Sequence, residues 1–151
     1  NILLKGDTPI ITDFGYSRFA ISSTMSNKIG TINYMSPEII ENDQYSFETD
    51  VFSYGLLLWE LYSVEVPYSW CMDIEDAIVG DEPLSYESPI SQDLKDLIED
   101  SKSYEADQRP TFTQIIERMI DKNIHFEYAD MNEVKEFYQM KKIEREKERK
   151  K

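Results

Sequence analysis

The sequence predicts a mainly α-helical domain that opens with one short β-hairpin. Three observations lead there. Apolar residues recur at helical spacing in segment after segment beyond Ser36, most clearly in "TFTQIIERMI", where Phe112, Ile115, Ile116, Met119 and Ile120 form one stripe. Helix-start chemistry stands where such segments begin, at Ser36-Pro37-Glu38, at Ser46 and at Thr111. Only the first dozen residues read as extended: "NILL" and "PIITD" flank "KGDT", whose Gly and Asp tolerate the backbone angles of a tight turn.

Taken in order, Ile2, Leu3 and Leu4 read as a short buried strand. Residues 16–33 are rich in Ser, Thr and Asn, lack periodicity and predict a long irregular loop, a kind of segment that tends to be functional or mobile. "SPEIIEN" predicts a helix with Ser36 as N-cap, Pro37 at its first position and Glu38 in its first turn. The next helix runs from near Ser46 to about Ser63. Phe52, Leu56, Leu57, Leu58, Trp59 and Leu61 make it apolar all round, which marks a buried central helix. "DIEDAIV" is a further short helix, and "SQDLKDLIED" puts Leu94, Leu97 and Ile98 on one face. Thr111 and Gln114 form a capping box ahead of the "TFTQIIERMI" stripe. A last helix is expected from about Asn132 into the charged tail, with Val134, Phe137 and Tyr138 as its apolar stripe. No internal repeat or second domain is visible, and 151 residues suffice for one core.

Net charge is −14, unevenly distributed. From Glu38 to Asp107 only Lys95 and Lys102 interrupt the acidic residues, whereas "KKIEREKERKK" is basic. The acidic body argues against nucleic-acid binding. The mixed tail suits a solvated helix end, with contact to RNA or an acidic membrane as the other reading. One cysteine, Cys71, precludes an intrachain disulfide framework and points to a reducing, cytoplasmic setting. With one histidine, His125, a zinc site is not expected. The longest apolar run, "VFSYGLLLWELYSV", is too short to span a bilayer, and no signal or transit peptide is readable. A start on Asn1 rather than Met suggests a fragment.

The chemistry concentrates in Asp13-Phe14-Gly15, preceded by Asn1 in "NILL" and followed by "GTINYMSPE", "SFETDVFSYG" and "DQRPTF". Four such signatures in that order resemble the C-terminal lobe of a eukaryotic protein kinase, and most of all its Ser/Thr-directed, tyrosine-kinase-like group. The resemblance covers residues 1–121 as a partial lobe with an orphan activation loop. Residues 122–151 are a charged helical extension. It implies that Asp13 gives a carboxylate, and Asn1 an amide oxygen, to magnesium, a hard cation that prefers oxygen. Gly15 would let Asp13 swing, and Phe14 would pack beneath the site. Ile2, Leu3 and Leu4 would form the floor under the adenine of ATP and rest on Leu57 and Leu61. Ser22, Ser23, Thr24 and Ser26 match the activation loop, either as phosphosites or simply as solvated residues. Thr31 would face the substrate's acceptor residue, and the surrounding stretch departs from the tyrosine-kinase pattern. Ser36 stands where the family more usually has Ala.

Three structural roles are also implied. Glu38 and Arg109 would pair across the lobe, and Asp50 would lack its usual partner, the catalytic-loop backbone. The helix from Ser46 to about Ser63 would expose apolar surface. The 151 residues contain no Gly-rich nucleotide lid, no strand lysine for the phosphates and no His-Arg-Asp base. The expectation is therefore a Ser/Thr kinase domain acting on protein with ATP and magnesium, of which this chain is a part inactive by itself. The other reading is a non-catalytic, pseudokinase-like interaction module.

Overall fold

Residues 2–11 fold back on themselves. Strand β1 (Ile2–Lys5) pairs antiparallel with β2 (Thr8–Ile11), Ile2 opposite Ile11 and Lys5 opposite Thr8. Gly6 turns the chain at φ 61°, a backbone angle that suits a residue without Cβ. The structure, a computed structural model, describes residues 1–6, 8–14, 31–42, 44–87, 89–126 and 129–149. Asp7 of the turn thus lies outside the described residues, as do Gly15, Ser22, Ser23, Thr24 and Ser26.

Six α-helices follow among the described residues: α1 (Pro37–Asn42), α2 (Phe47–Ser63), α3 (Ile74–Val79), α4 (Gln92–Ser101), α5 (Phe112–Lys122) and α6 (Met131–Arg149). Their starts follow the cap chemistry. Asp73 Oδ1 accepts from Asp76 N–H at 3.0 Å and Ser91 Oγ from Leu94 N–H at 3.3 Å. At α5 the predicted box is complete: Gln114 N–H donates to Thr111 Oγ1 at 3.3 Å, and Thr111 N–H to Gln114 Oε1 at 2.7 Å.

The core forms where α2 crosses α4. Phe52, Leu56, Leu58 and Trp59 of α2 are buried with Leu94, Leu97 and Ile98 of α4, and Ile39, Ile40 and Ile115 join from α1 and α5. Gly55 makes the crossing close, because a Cβ there would stand 2.8 Å from Ser101 Cβ. The buried Trp59 indole N–H donates to Ser85 O at 2.9 Å, which satisfies its polar end. Helix α6 is fastened by the Tyr138 hydroxyl, which donates to Ile124 O.

Several expectations need correction. Ile2, Leu3 and Leu4 are exposed, Leu4 at 74 %. A lone two-stranded ribbon has two faces, and each of its eight positions here stays open to solvent. Helix α2 is not apolar-buried all round: Phe47 and Leu61 are exposed, so the expected apolar surface is present but confined to its ends. Only part of the α5 stripe reaches the core. Ile115 and Ile120 are buried, whereas Phe112 and Ile116 are exposed, because five apolar residues subtend a wider arc than the body covers. Ile116 instead lines a cavity of about 560 Å³ between α5 and α6, together with Val134 and Phe137 and with Met119 and Phe126, which also pack against the core. The predicted irregular loop also ends sooner than expected, as Ile32–Tyr34 form a 3-10 turn.

Candidate active site and its anchor

The open end of the hairpin carries the candidate metal ligands. Asn1 O accepts from Thr12 N–H at 2.8 Å and from Thr12 Oγ1 at 3.1 Å, which extends the ladder one step past Ile2 and Ile11. Asn1 and Asp13 therefore emerge at the same end of the ribbon, both exposed. Asp13 sits at φ 60°, in the left-handed region that Asp tolerates better than most residues. Leu3 is exposed on β1, and Phe14 is 67 % exposed rather than packed beneath the site. Leu3 projects from a ribbon whose faces have no covering layer among the described residues.

A second constellation lies in the body, and it is built without gaps. The Arg109 side chain is fully buried and Glu38 nearly so, at 0 % and 16 % exposure. Arg109 Nη1 donates to Glu38 Oε1 at 2.8 Å and Nη2 to Oε2 at 2.9 Å, a two-pronged grip suited to a planar guanidinium. Its remaining donors reach three carbonyls: Ser103 O from Nε at 2.7 Å, Glu48 O from Nη1 at 3.0 Å and Tyr104 O from Nη2 at 3.1 Å. All five N–H groups are thereby used. The guanidinium also lies 4.9 Å from the Phe52 ring centre, which adds a cation–π contact.

Thr49 completes the group. Its hydroxyl donates to Glu38 Oε1 at 3.0 Å and accepts from Ser46 N–H at 3.2 Å, at the start of α2. Burial raises the Glu38 carboxyl, but the hydrogen bonds from Arg109, with help from its own backbone N–H and the Arg109 charge, outweigh that and hold it below the usual range. The expected pairing of Glu38 with Arg109 is thus present in full.

Residues 31–34, ahead of α1, are tied to α2 and to the connection that follows it. Thr31 is exposed and precedes the 3-10 turn, its carbonyl accepting from Tyr34 N–H at 3.1 Å. The Tyr34 hydroxyl donates to Glu60 Oε2 at 2.7 Å, Tyr34 O accepts from Ser53 Oγ at 2.7 Å, and Asn33 Nδ2 donates to Pro67 O at 2.7 Å. Burial, then the bond to Glu60 and the charge of its carboxylate, push the Tyr34 phenol far above its ordinary value. Asp50, four positions beyond Ser46, is exposed at its surface and accepts no hydrogen bond among the described residues. The protein beside it still desolvates the carboxyl enough to raise its pKa.

A family model for the protein kinase domain matches residues 1–120. The chain belongs to this family. Relatives include the serine/threonine-protein kinase STY46 of Arabidopsis thaliana, 35 % identical over 79 % of this chain and 22 % of that protein. The RAF proto-oncogene serine/threonine-protein kinase of Xenopus laevis is 36 % identical over 77 % of this chain and 20 % of its own length. The mitogen-activated protein kinase kinase kinase 13-B of Xenopus laevis is 34 % identical over 77 % and 13 %. The chain therefore spans about a fifth, or less, of the length of these relatives. Its kinase signatures separate in space: the Asn1 and Asp13 pair stands on the exposed ribbon, while Ser-Pro-Glu and the Arg109 segment close on one another inside the helical body.

Sequence reasoning missed Thr49, Phe52, Asn33 and the Tyr34–Glu60 pair. Thr49 was within reach, since a hydroxyl three positions after Ser46 is a capping-box position. The others depend on contacts between distant segments, which spacing does not report. No helix among the described residues is long and apolar enough to cross a membrane.

Proposed function

We propose that these residues are the metal-binding, loop-bearing and substrate-facing part of a protein serine/threonine kinase domain that moves the γ-phosphoryl group of ATP to Ser or Thr of a protein, in the cytoplasm. The observation carrying this reading is the hairpin register, which brings Asn1 and Asp13 to one end as two exposed oxygen donors. That donor set fits magnesium, which takes one or two protein oxygens and completes its shell with water and phosphate. Bound there, the ion would neutralise charge developing on the phosphoryl oxygens. The chain's own contribution is positional. Asn1 and Asp13 hold and orient the ion, Leu3 offers an apolar surface to the nucleotide base, and Thr31, on the segment tied to α2, faces the acceptor hydroxyl. Phe14, Gly15, Ser22, Ser23, Thr24 and Ser26 belong to the activation loop in this reading, and Glu38 with Arg109 anchors that loop's far end.

The 151 residues alone are expected to be inactive. The family's base and phosphate clamp are not among them, and positioning supplies most of this catalysis. A chimaera in which residues 1–120 replace the matching stretch of the Arabidopsis relative tests the reading. Expected are magnesium-dependent phosphoserine or phosphothreonine products that vanish in Asp13→Ala, and no transfer by the 151-residue chain. Phosphotyrosine products, or transfer that survives Asp13→Ala, would overturn it. A second reading, a non-catalytic interaction module, is favoured by the exposure of Phe14 and of the whole ribbon. It predicts a folded chimaera without transfer.

A further inference from the structure

The connection between α2 and α3 has an unusual surface. Within nine residues Val64, Val66, Trp70 and Met72 are exposed at 88, 44, 44 and 107 %. Contiguous exposed apolar side chains on a connecting loop mark a contact surface more often than an accident of packing.

The loop is held rigidly. Val64 ends α2 at φ 60°, its N–H donating to Glu60 O at 2.8 Å, and a β-branched residue at that angle is strained. Tyr68, also left-handed at φ 57°, is 1 % exposed and pins the loop to the core. Pro67 O takes the hydrogen bond from Asn33. Trp70 rests against Trp59 at 5.6 Å and Tyr68 at 5.9 Å between ring centres, so one side of its indole is backed and the other open. Strain that the surroundings keep in place is characteristic of functional segments. A pre-oriented aromatic with one open face is the usual anchor of a protein interface.

Charge selects the partner. Between Lys28 and Lys95 the sequence has no Lys, Arg or His against fourteen Asp and Glu. Glu65 lies within the loop, and Asp73, Glu75 and Asp76 follow it directly. An acidic segment would be repelled from this face and a cationic one drawn to it.

We propose that residues 64–73 dock a basic segment of the protein substrate, one large apolar side chain seating on Trp70 and Met72 while flanking Lys or Arg residues meet Glu65 and Asp73. The assignment to substrate rests on the kinase reading above. It follows from the Asn33–Pro67 bond, which fixes this loop to the segment beside Thr31.

Two measurements test it. In the first, a short fluorescein-labelled peptide with a central Leu between Arg and Lys residues is titrated into the 151-residue chain. Binding is expected, weakening with salt. Trp70→Ala should weaken it about tenfold or more, and Met72→Ser and Glu65→Lys several-fold. Met72 is wholly exposed, so Met72→Ser separates lost docking from lost folding even where Trp70→Ala unfolds the chain. No binding by the parent chain, equal binding by Met72→Ser and Glu65→Lys, or tighter binding of the matching acidic peptide overturns the proposal.

In the second, the chimaera is given a Ser-containing substrate with and without the docking segment. The segment should lower KM with kcat unchanged, and Met72→Ser should abolish that advantage. Peptide binding without a KM effect refutes the substrate assignment. Absence of all transfer refutes the kinase reading and leaves the binding result to decide the docking surface.

Discussion

The ribbon and the Arg109 clasp are both signatures of the same family, and they differ in what holds them. Arg109 is fixed by five hydrogen bonds, one stacked ring and burial on every side. Among the described residues, Asn1 and Asp13 are held only by a two-stranded ladder, and the strand residues beneath them face solvent. A structural signature whose partners all lie within the chain closes on itself. In the proposed reading the partners of Asn1 and Asp13 are a nucleotide, a metal and a substrate, which lie outside the signature, and its polar groups stay open. On that reading stability and chemistry are carried by different halves of one set of motifs.

Mutations should divide along that line. The largest effect is expected at Arg109→Ala, which strands a mostly buried carboxylate and three carbonyls. The loss should be about 3–5 kcal/mol, read as a lower urea midpoint. Arg109→Lys should recover little, since a point charge cannot replace the forked grip. An unchanged midpoint in either variant would break the comparison. Next comes Glu38→Gln, with a loss of about 1.5–3 kcal/mol at neutral pH. The sign with pH follows from the lowered Glu38 pKa: its stabilisation is fully present above the ordinary Glu value and is lost as pH falls through the depressed folded value. Unfolding midpoints should therefore converge between Glu38→Gln and the parent chain as pH falls from 4.5 through the depressed folded value.

Gly55→Ala should cost about 1–3 kcal/mol through overpacking against Ser101, although Ala is the better helix former by roughly 1 kcal/mol. A stabilised variant would show that α2 and α4 can part more easily than their spacing implies. On the ribbon, Leu4→Ser should move the midpoint by no more than about 0.5 kcal/mol. A larger loss would mean that the hairpin contributes to the core after all. The smallest effect belongs to Asp50→Asn. The raised pKa means that the carboxylate costs stability as pH rises from the ordinary Asp value through the folded one. Its removal at neutral pH should stabilise slightly, by at most about 0.5 kcal/mol because solvent screens an exposed group. Thermal melts across that pH range would sharpen the point, and a destabilised Asp50→Asn would reverse it.

Legibility in the sequence followed the range of the forces. Local chemistry was readable: Ser91, Thr111 and Asp73 each stand at or beside an expected helix start, and Ser46 correctly marks the beginning of α2. The Glu38–Arg109 pair, 71 residues apart, was readable only through family resemblance, since no periodicity links the two positions. Burial was the weakest reading. Ile2, Leu3, Leu4, Phe112 and Ile116 are apolar and patterned as core, yet what covers a side chain depends on elements far along the chain. Periodicity shows which residues share a face; it does not show whether anything lies against that face.

Thr49 has a consequence for how the molecule comes apart. Its single hydroxyl links the first turn of α2 to Glu38 of α1, and Glu38 passes the connection through Arg109 to the carbonyls just beyond α4. Three helix ends thus share one continuous polar chain, in which losing any link unsatisfies the next. Elements wired in this way open together. Amide protons at the start of α2, in α1 and at the end of α4 should exchange with solvent at one common, slow rate, while those of the ribbon exchange freely, so that the fold breathes as a single block with a loose flap attached.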